Sequence, residues 1–400
     1  MPSPPAQLSD ADYATIHPYY FEFCALSEIE KKPGFGVDIR GGIGGHSTIY
    51  LNGACLKGPG YPVLTVCQDN PAANGVGLSI NEHFANANWV AIPGHDFFYD
   101  GDLKPGQRLT HAVYEETKGH AKRLGIYDAI RFHKDVFDDM PPGFTPDQFK
   151  YEISIGSDYA TGYARDRYCA RVPVTAAEMA KIVAYLNSLN TPYRDGKAEY
   201  EWNLFTDNCI HVAHNALATI GFWPVWPTHG SLLLALFDFP VPKNEFVNIM
   251  RRANDMPIGD PLAVWNDRSA RHALLEGMRL PRRPGALAVF EPAVEDNAVY
   301  DTHLGLIFYD DPILGSYRPW YRQIVNQPRY TDPQADDQTF AELYARIEAD
   351  RKPLDWWLKH HPDLREQADF PLFYRRYYEQ IGHESAALAS DHSQFAGIGG

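Results

Sequence analysis

Asn203-Leu-Phe-Thr-Asp-Asn-Cys209-Ile-His-Val-Ala-His-Asn-Ala-Leu217 opens with helix-capping residue types and closes on an apolar helical stripe. Thr206, Asp207 and Asn208 have side chains that accept hydrogen bonds from a helix's first free N–H groups. Val212, Ala213, Ala216, Leu217 and Ile220 follow at helical spacing, and Gly221 supplies a stop. The pattern predicts a helix whose first turn carries Cys209. A thiol there feels the positive end of the helix dipole, which favours its anion. Such a thiolate is a nucleophile, and its chemistry needs a base elsewhere in the chain.

Outward from that helix, 400 residues are enough for one large domain or a large domain with a smaller companion. Lys+Arg 36 against Asp+Glu 51 gives a net charge of -15, which argues against nucleic acid and against an electrostatic hold on anionic lipid. No apolar run approaches the ~20 residues of a membrane span. The first residues, Met-Pro-Ser-Pro-Pro-Ala-Gln, lack the basic-then-apolar pattern of a signal peptide. Synthesis in the cytoplasm is therefore expected, with delivery by a dedicated secretion machine left open. Cys24, Cys55, Cys67, Cys169 and Cys209 have no patterned spacing, so reduced thiols are expected.

The chain divides, on composition and punctuation, into a leader over 1–33, a catalytic domain over 34–227 and an accessory region over 228–400. Strands are expected at His46-Ser-Thr-Ile-Tyr-Leu51, at Tyr61-Pro-Val-Leu-Thr-Val-Cys67, at 75–80 and at 89–92. Tyr151-Glu-Ile-Ser-Ile155 and 169–174 also read as strands, and 109–124 as a helix. Thr175-Ala-Ala-Glu178 is a capping box, and Met179, Ile182, Val183, Leu186 and Leu189 continue it as a helical stripe. Pro284-Gly-Ala-Leu-Ala-Val-Phe290 and His303-Leu-Gly-Leu-Ile-Phe-Tyr309 read as a hairpin; 338–350 and 370–380 read as helices. The expected class is α+β, with an antiparallel sheet packed on the cysteine helix and an α/β C-terminal extension.

A cysteine hydrolase needs an imidazole to take and return the thiol proton, and a polar group to orient it. His46 opens a strand after Gly41, Gly42, Gly44 and Gly45, which permit close backbone approach. Gly45-His46-Ser-Thr-Ile-Tyr-Leu51, the capped helix from Val174, and Asn208-Cys209 resemble, in this order, the circularly permuted branch of the NlpC-type papain-like superfamily. That branch includes the lecithin:retinol acyltransferase-like proteins and a bacterial DUF4105-type family. The resemblance covers roughly 34–223. It implies a permuted papain-like core, Cys209 as nucleophile, His46 as general base and no metal or organic cofactor. The lecithin:retinol acyltransferase-like members carry a second histidine on the strand after the first. Here 61–67 has none, and Gln68 with Asp69 at its end, or Glu82 with His83, stand as orienting candidates.

His303 is the rival base, because an unpermuted NlpC pattern has its histidine after the cysteine. His211 and His214, three apart on the Cys209 helix, read as a packed pair rather than metal ligands. Asp158, Arg165, Asp166 and Arg167 form a charge-rich stretch, whose arginine forks also suit carboxylate or phosphate. Trp223-Pro-Val-Trp226 and Phe237-Asp-Phe239 are aromatic enough to line an apolar groove. The resemblance implies acyl transfer through a thioester, on acyl lipids as a phospholipase or lipid acyltransferase. The alternatives are a cell-wall peptide amidase and a non-catalytic binding scaffold. A bacterial toxin or effector would suit either enzyme, with transient membrane contact and an immunity or delivery protein as partner.

Overall fold

The computed structural model describes residues 8–35, 45–203, 208–227, 241–310 and 316–398. The fold is mixed α+β, 47% helix and 15% strand, around a six-stranded antiparallel sheet. Its strands are β1 (Tyr20–Leu26), β3 (His46–Asn52), β6 (Gly75–Ser79), β7 (Val90–Pro93), β8 (Arg167–Pro173) and β9 (Leu287–Glu291), in the order β7-β6-β3-β1-β8-β9. Two small ribbons pair β2 (Glu30–Lys31) with β10 (Tyr300–Asp301), and β4 (Ala54–Leu56) with β5 (Leu64–Val66).

Register decides which side chains share a face. Ser47 lies opposite Ala25, and Ala25 opposite Tyr168; His46 lies opposite Leu26, and Leu26 opposite Arg167. Because strand side chains alternate, these two rows point to opposite faces. The Tyr168 face carries α7 (Pro242–Asp255), whose Phe246 meets Tyr168 and Phe290 edge-on. Beside it runs α6 (Cys209–Ala218), joined to α7 by His214 and Glu245. The two helices are parallel, since Phe222 beyond the end of α6 meets Arg252 late in α7. The other face carries α2 (His95–Asp100), where His95 and Tyr99 pack on Tyr50 and Arg167 lies over Tyr99.

Around the sheet stand α1 (Asp10–Ile16), α3 (His111–Leu124), α4 (Pro146–Ser154) and α5 (Ala176–Arg194). A second core gathers α8 (Pro261–Asn266), α9 (Arg268–Leu275), α11 (Pro333–Ala349), α12 (Leu354–His360) and α13 (Phe370–Ile398), with α10 (Tyr317–Asn326) against α7. Its buried centre includes Trp265, Phe340, Tyr344, Phe370 and Tyr377.

Several expectations are corrected. Residues 20–26 are not leader but β1, paired on both sides and buried at all seven positions. Tyr151 to Ser154 are helical, because Thr145 and Gln148 form a capping box with Pro146 at the first position of α4. Residues 303–309 form no strand, and β9 pairs with β8 rather than making a hairpin with them. The sheet continues past 227, since β9 is its sixth strand. The neighbour of β3 is β6, while β5 pairs with β4. Four cysteines expected to be reduced form two disulfides, Cys24–Cys169 across β1 and β8, and Cys55–Cys67.

Candidate functional site

At the start of α6, Asn208 keeps an extended backbone, and its Oδ1 accepts hydrogen bonds from Ile210 N (2.9 Å) and His211 N (3.2 Å). This caps the helix and fixes Cys209 in its first turn. Thr206 and Asp207 lie outside the described residues. Cys209 is 7% exposed and is the single free cysteine of the chain. Burial pushes its thiol pKa up; the Ser47 hydroxyl and the N–H groups of Ser47, Cys209 and Ile210 pull the other way. The helix-start position therefore supplies donors that favour the anion, but desolvation outweighs them in this closed arrangement.

The strand next to the sulfur is unusual in its polar bookkeeping. His46 Nε2, Ser47 Oγ and Thr48 Oγ1 are all buried and make no hydrogen bond among the described residues. The contact of Ser47 with the sulfur thus lacks the geometry of a full hydrogen bond. Each orphaned buried group costs about 1–3 kcal/mol, so three in succession call for a cause. β6 pairs with β3 only at Ile49, Tyr50, Leu51 and Asn52, which leaves the His46 end without a strand partner on that side among the described residues. The chain enters this end through Gly45, at φ +81, where a Cβ would stand 2.3 Å from Leu26 O. A side chain there would collide with β1.

Burial, and then the Arg165 guanidinium, lower the His46 pKa to about 3. Arg165 is itself buried, donating Nε to Gly156 O (2.9 Å) and Nη1 to Ser27 O. Its pKa is lowered to about 10 by burial, against the attraction of Tyr300, Asp158 and Cys209. No hydrogen bond joins His46 to Cys209 among the described residues, and register puts His46 on the α2 face while Ser47 faces the sulfur. The thiol and the imidazole are both neutral as they stand.

The other candidates are dispersed. Gln68 and Asp69 are exposed, beyond Cys67, which bonds Gly53 just past the far end of β3. Six residue steps along β3 separate that end from His46, about 20 Å. Glu82 is exposed. His83 is half-buried, stacks on Phe132, leaves Nδ1 without a partner and has its pKa lowered by burial. His303 is exposed in a segment without secondary structure. His211 Nδ1 lies 3.1 Å from Asn208 Oδ1. The His214 ring is stacked between Trp223 and Trp226, with its nitrogens on Glu245 Oε1 (2.9 Å) and Pro224 O (3.1 Å). The two tryptophans therefore clamp a histidine. Phe237 and Phe239 lie outside the described residues. In the charge-rich stretch, Asp158 accepts from Ser79, Asn81 and Tyr127, Asp166 from Ala293 N, and Arg167 pairs with Asp100. Only Arg165 of that stretch acts on both Cys209 and His46.

Ser47 and Thr48 were not singled out by sequence, because short hydroxyl residues are ordinary in strands. Their proximity to the glycine-led entry of β3 was the available signal. The chain matches no family model, no curated protein and no solved structure.

Proposed function

We propose that this protein is a cysteine-dependent acyl hydrolase or acyltransferase on a permuted papain-like core, with Cys209 as nucleophile and His46 as general base. The observation that carries it is the coincidence of the one free thiol, at a capped helix start, with three consecutive residues of β3 that each hold a buried polar atom without a partner among the described residues. In the reaction, His46 takes the Cys209 proton and the sulfur forms a bond to an ester or amide carbonyl carbon. The proton passes around the unpaired end of β3, through a water or substrate oxygen seated against Ser47 Oγ. The N–H groups of Cys209 and Ser47 receive the developing oxyanion. Collapse expels the alcohol or amine, which leaves with the proton from His46, and a thioester remains. Water, or an acceptor hydroxyl or amine, then resolves the thioester. Acyl lipids of phospholipid type are the proposed substrates, on the resemblance of the His46 and Cys209 motifs. Two disulfides fit an oxidising compartment and hence delivery out of a reducing cytosol.

A non-catalytic scaffold is the second reading, favoured by the neutral thiol and imidazole. Labelling with a thiol-directed acyl probe separates the two. Wild type acylated at Cys209, with His46→Ala slower by about 100-fold, is the outcome expected of a general base. Equal labelling of the two removes His46 as base; no acylation of wild type leaves the scaffold. Mass spectrometry of phospholipids and of cell-wall peptides after incubation reads the substrate. Intact lipids with cleaved peptides would overturn the lipid assignment.

A further inference from the structure

Away from Cys209, a cleft of about 380 Å³ opens between the far half of α6, α7 and the turn joining α8 to α9. That volume lies in the range of small-molecule sites. Its charges are mostly spoken for. Arg252 holds Asp267 with two hydrogen bonds, of 2.6 and 3.1 Å, and donates Nε to Phe222 O. Asp255 accepts from Arg329 (2.8 Å) and from the Tyr330 hydroxyl. His214 has both nitrogens engaged.

Arg251 is different. Its guanidinium lies over the Trp320 ring at 3.6 Å and lines the cleft. It makes no ion pair or hydrogen bond among the described residues, and its Nε is buried without a partner. A guanidinium offers five donors in a planar fork suited to a carboxylate, and a buried donor left open is costly. The remaining lining includes apolar surface from Trp223, Met256, Pro257 and Ala263.

We propose that this cleft binds a small monoanionic organic acid, with Arg251 holding the carboxylate and Trp223, Met256 and Pro257 covering the apolar body. Among the described residues Arg251 is the guanidinium of the lining without a carboxylate partner, so it is the group left to meet an anion, and the apolar lining selects an organic body over a bare ion. The site is independent of the proposed chemistry at Cys209.

Tryptophan fluorescence titration with hexanoate tests it, alongside 1-hexanol, which keeps the apolar body, and inorganic phosphate, which keeps only charge. Saturable hexanoate binding is expected, about ten-fold or more tighter than either control. Arg251→Gln should weaken it about ten-fold or more at an unchanged melting temperature. Ala263→Phe, which fills the cleft while leaving Arg251, should weaken it as well and covers the case in which the arginine variant misfolds. Cys209→Ser should bind like wild type, which separates this site from the acyl-transfer reading. Absence of saturable binding, hexanol or phosphate binding as tightly as hexanoate, or full affinity in folded Arg251→Gln would each overturn the proposal.

Discussion

Asn208 carries more of the site than its size indicates. Its one side-chain oxygen takes two N–H groups and lies against the His211 ring. Asn208→Ala should lower stability by about 1 kcal/mol, read as the urea midpoint, and loosen the position of the Cys209 sulfur. Asn208→Asp keeps the cap but sets a negative charge near the thiol, so alkylation of Cys209 at pH 8 should slow while stability holds. Faster alkylation in Asn208→Asp would contradict the placement of that side chain. Three histidines with desolvated rings, of which His211 is the most buried, contribute to the response to acid. Burial lowers His17 and His46 to about 3 and His211 to about 4, with Arg279, Arg165 and His214 respectively adding to the shift. Above the ordinary value of 6.5 both folded and unfolded chains hold these rings neutral, and the stabilisation is complete. As pH falls below 6.5 the unfolded chain takes protons that the folded one refuses, so stability drops until about 3 to 4. Buried Asp336 works with the opposite sign, since its raised pKa favours the folded state at low pH. The melting temperature should fall steadily from pH 7.5 to 4.5, and His17→Gln should flatten part of that fall. A His17→Gln profile as steep as that of wild type would mean that this ring titrates normally.

At the scale of elements, α5 shows how a local motif acquires a distant duty. Thr175 and Glu178 form the capping box that the sequence announces. Glu178 also receives Arg283 Nη1 at 3.2 Å on each oxygen, and that fully buried arginine donates to Pro173 O and Leu280 O. The box thereby ties the end of β8 to the chain leading into β9. Glu178→Gln preserves the cap geometry but leaves Arg283 buried without its counter-charge. A loss of roughly 3 kcal/mol is expected by chemical denaturation. A loss near zero would mean that the carbonyl partners alone satisfy the arginine. Helices α5 and α6 were legible because caps and apolar spacing are local. β3, β6 and β8 were legible because short runs between turns leave few alternatives. β1 was not, since its Tyr-Phe-Glu-Phe-Cys-Ala-Leu run is buried on both faces and shows no alternation. The turn of 151–154 into helix was missed because its capping box lies six residues upstream, at Thr145. For the site, Cys209 and His46 carry visible signals, while the faces they occupy depend on pairing with β1, which sequence spacing does not encode.

For the molecule as a whole, the two disulfides alter what Cys209 means. Cys24 and Cys169 stand 145 residues apart, on directly opposed positions of β1 and β8, so their pairing follows only from the assembled sheet. Cys55 and Cys67 close a short ribbon, 12 residues apart. In the chain-entropy account, cross-links of these spans stabilise by roughly 5 and 3 kcal/mol, because they shrink the unfolded ensemble. The longer one fastens β1 to β8 beside Glu22, whose carboxylate meets Arg171 directly across the same two strands. With four cysteines paired, an acyl probe has a single thiol to find, which is why selective labelling is a fair test of catalysis rather than of accessibility. Unreduced protein in denaturant should therefore titrate one thiol per chain, located by peptide mapping at Cys209, and five after reduction. Reduction should also lower the melting temperature by several degrees, as the loss of a few kcal/mol requires in a chain of this size. Three or five thiols without reductant would remove one or both cross-links, and with them the argument that the protein belongs in an oxidising compartment.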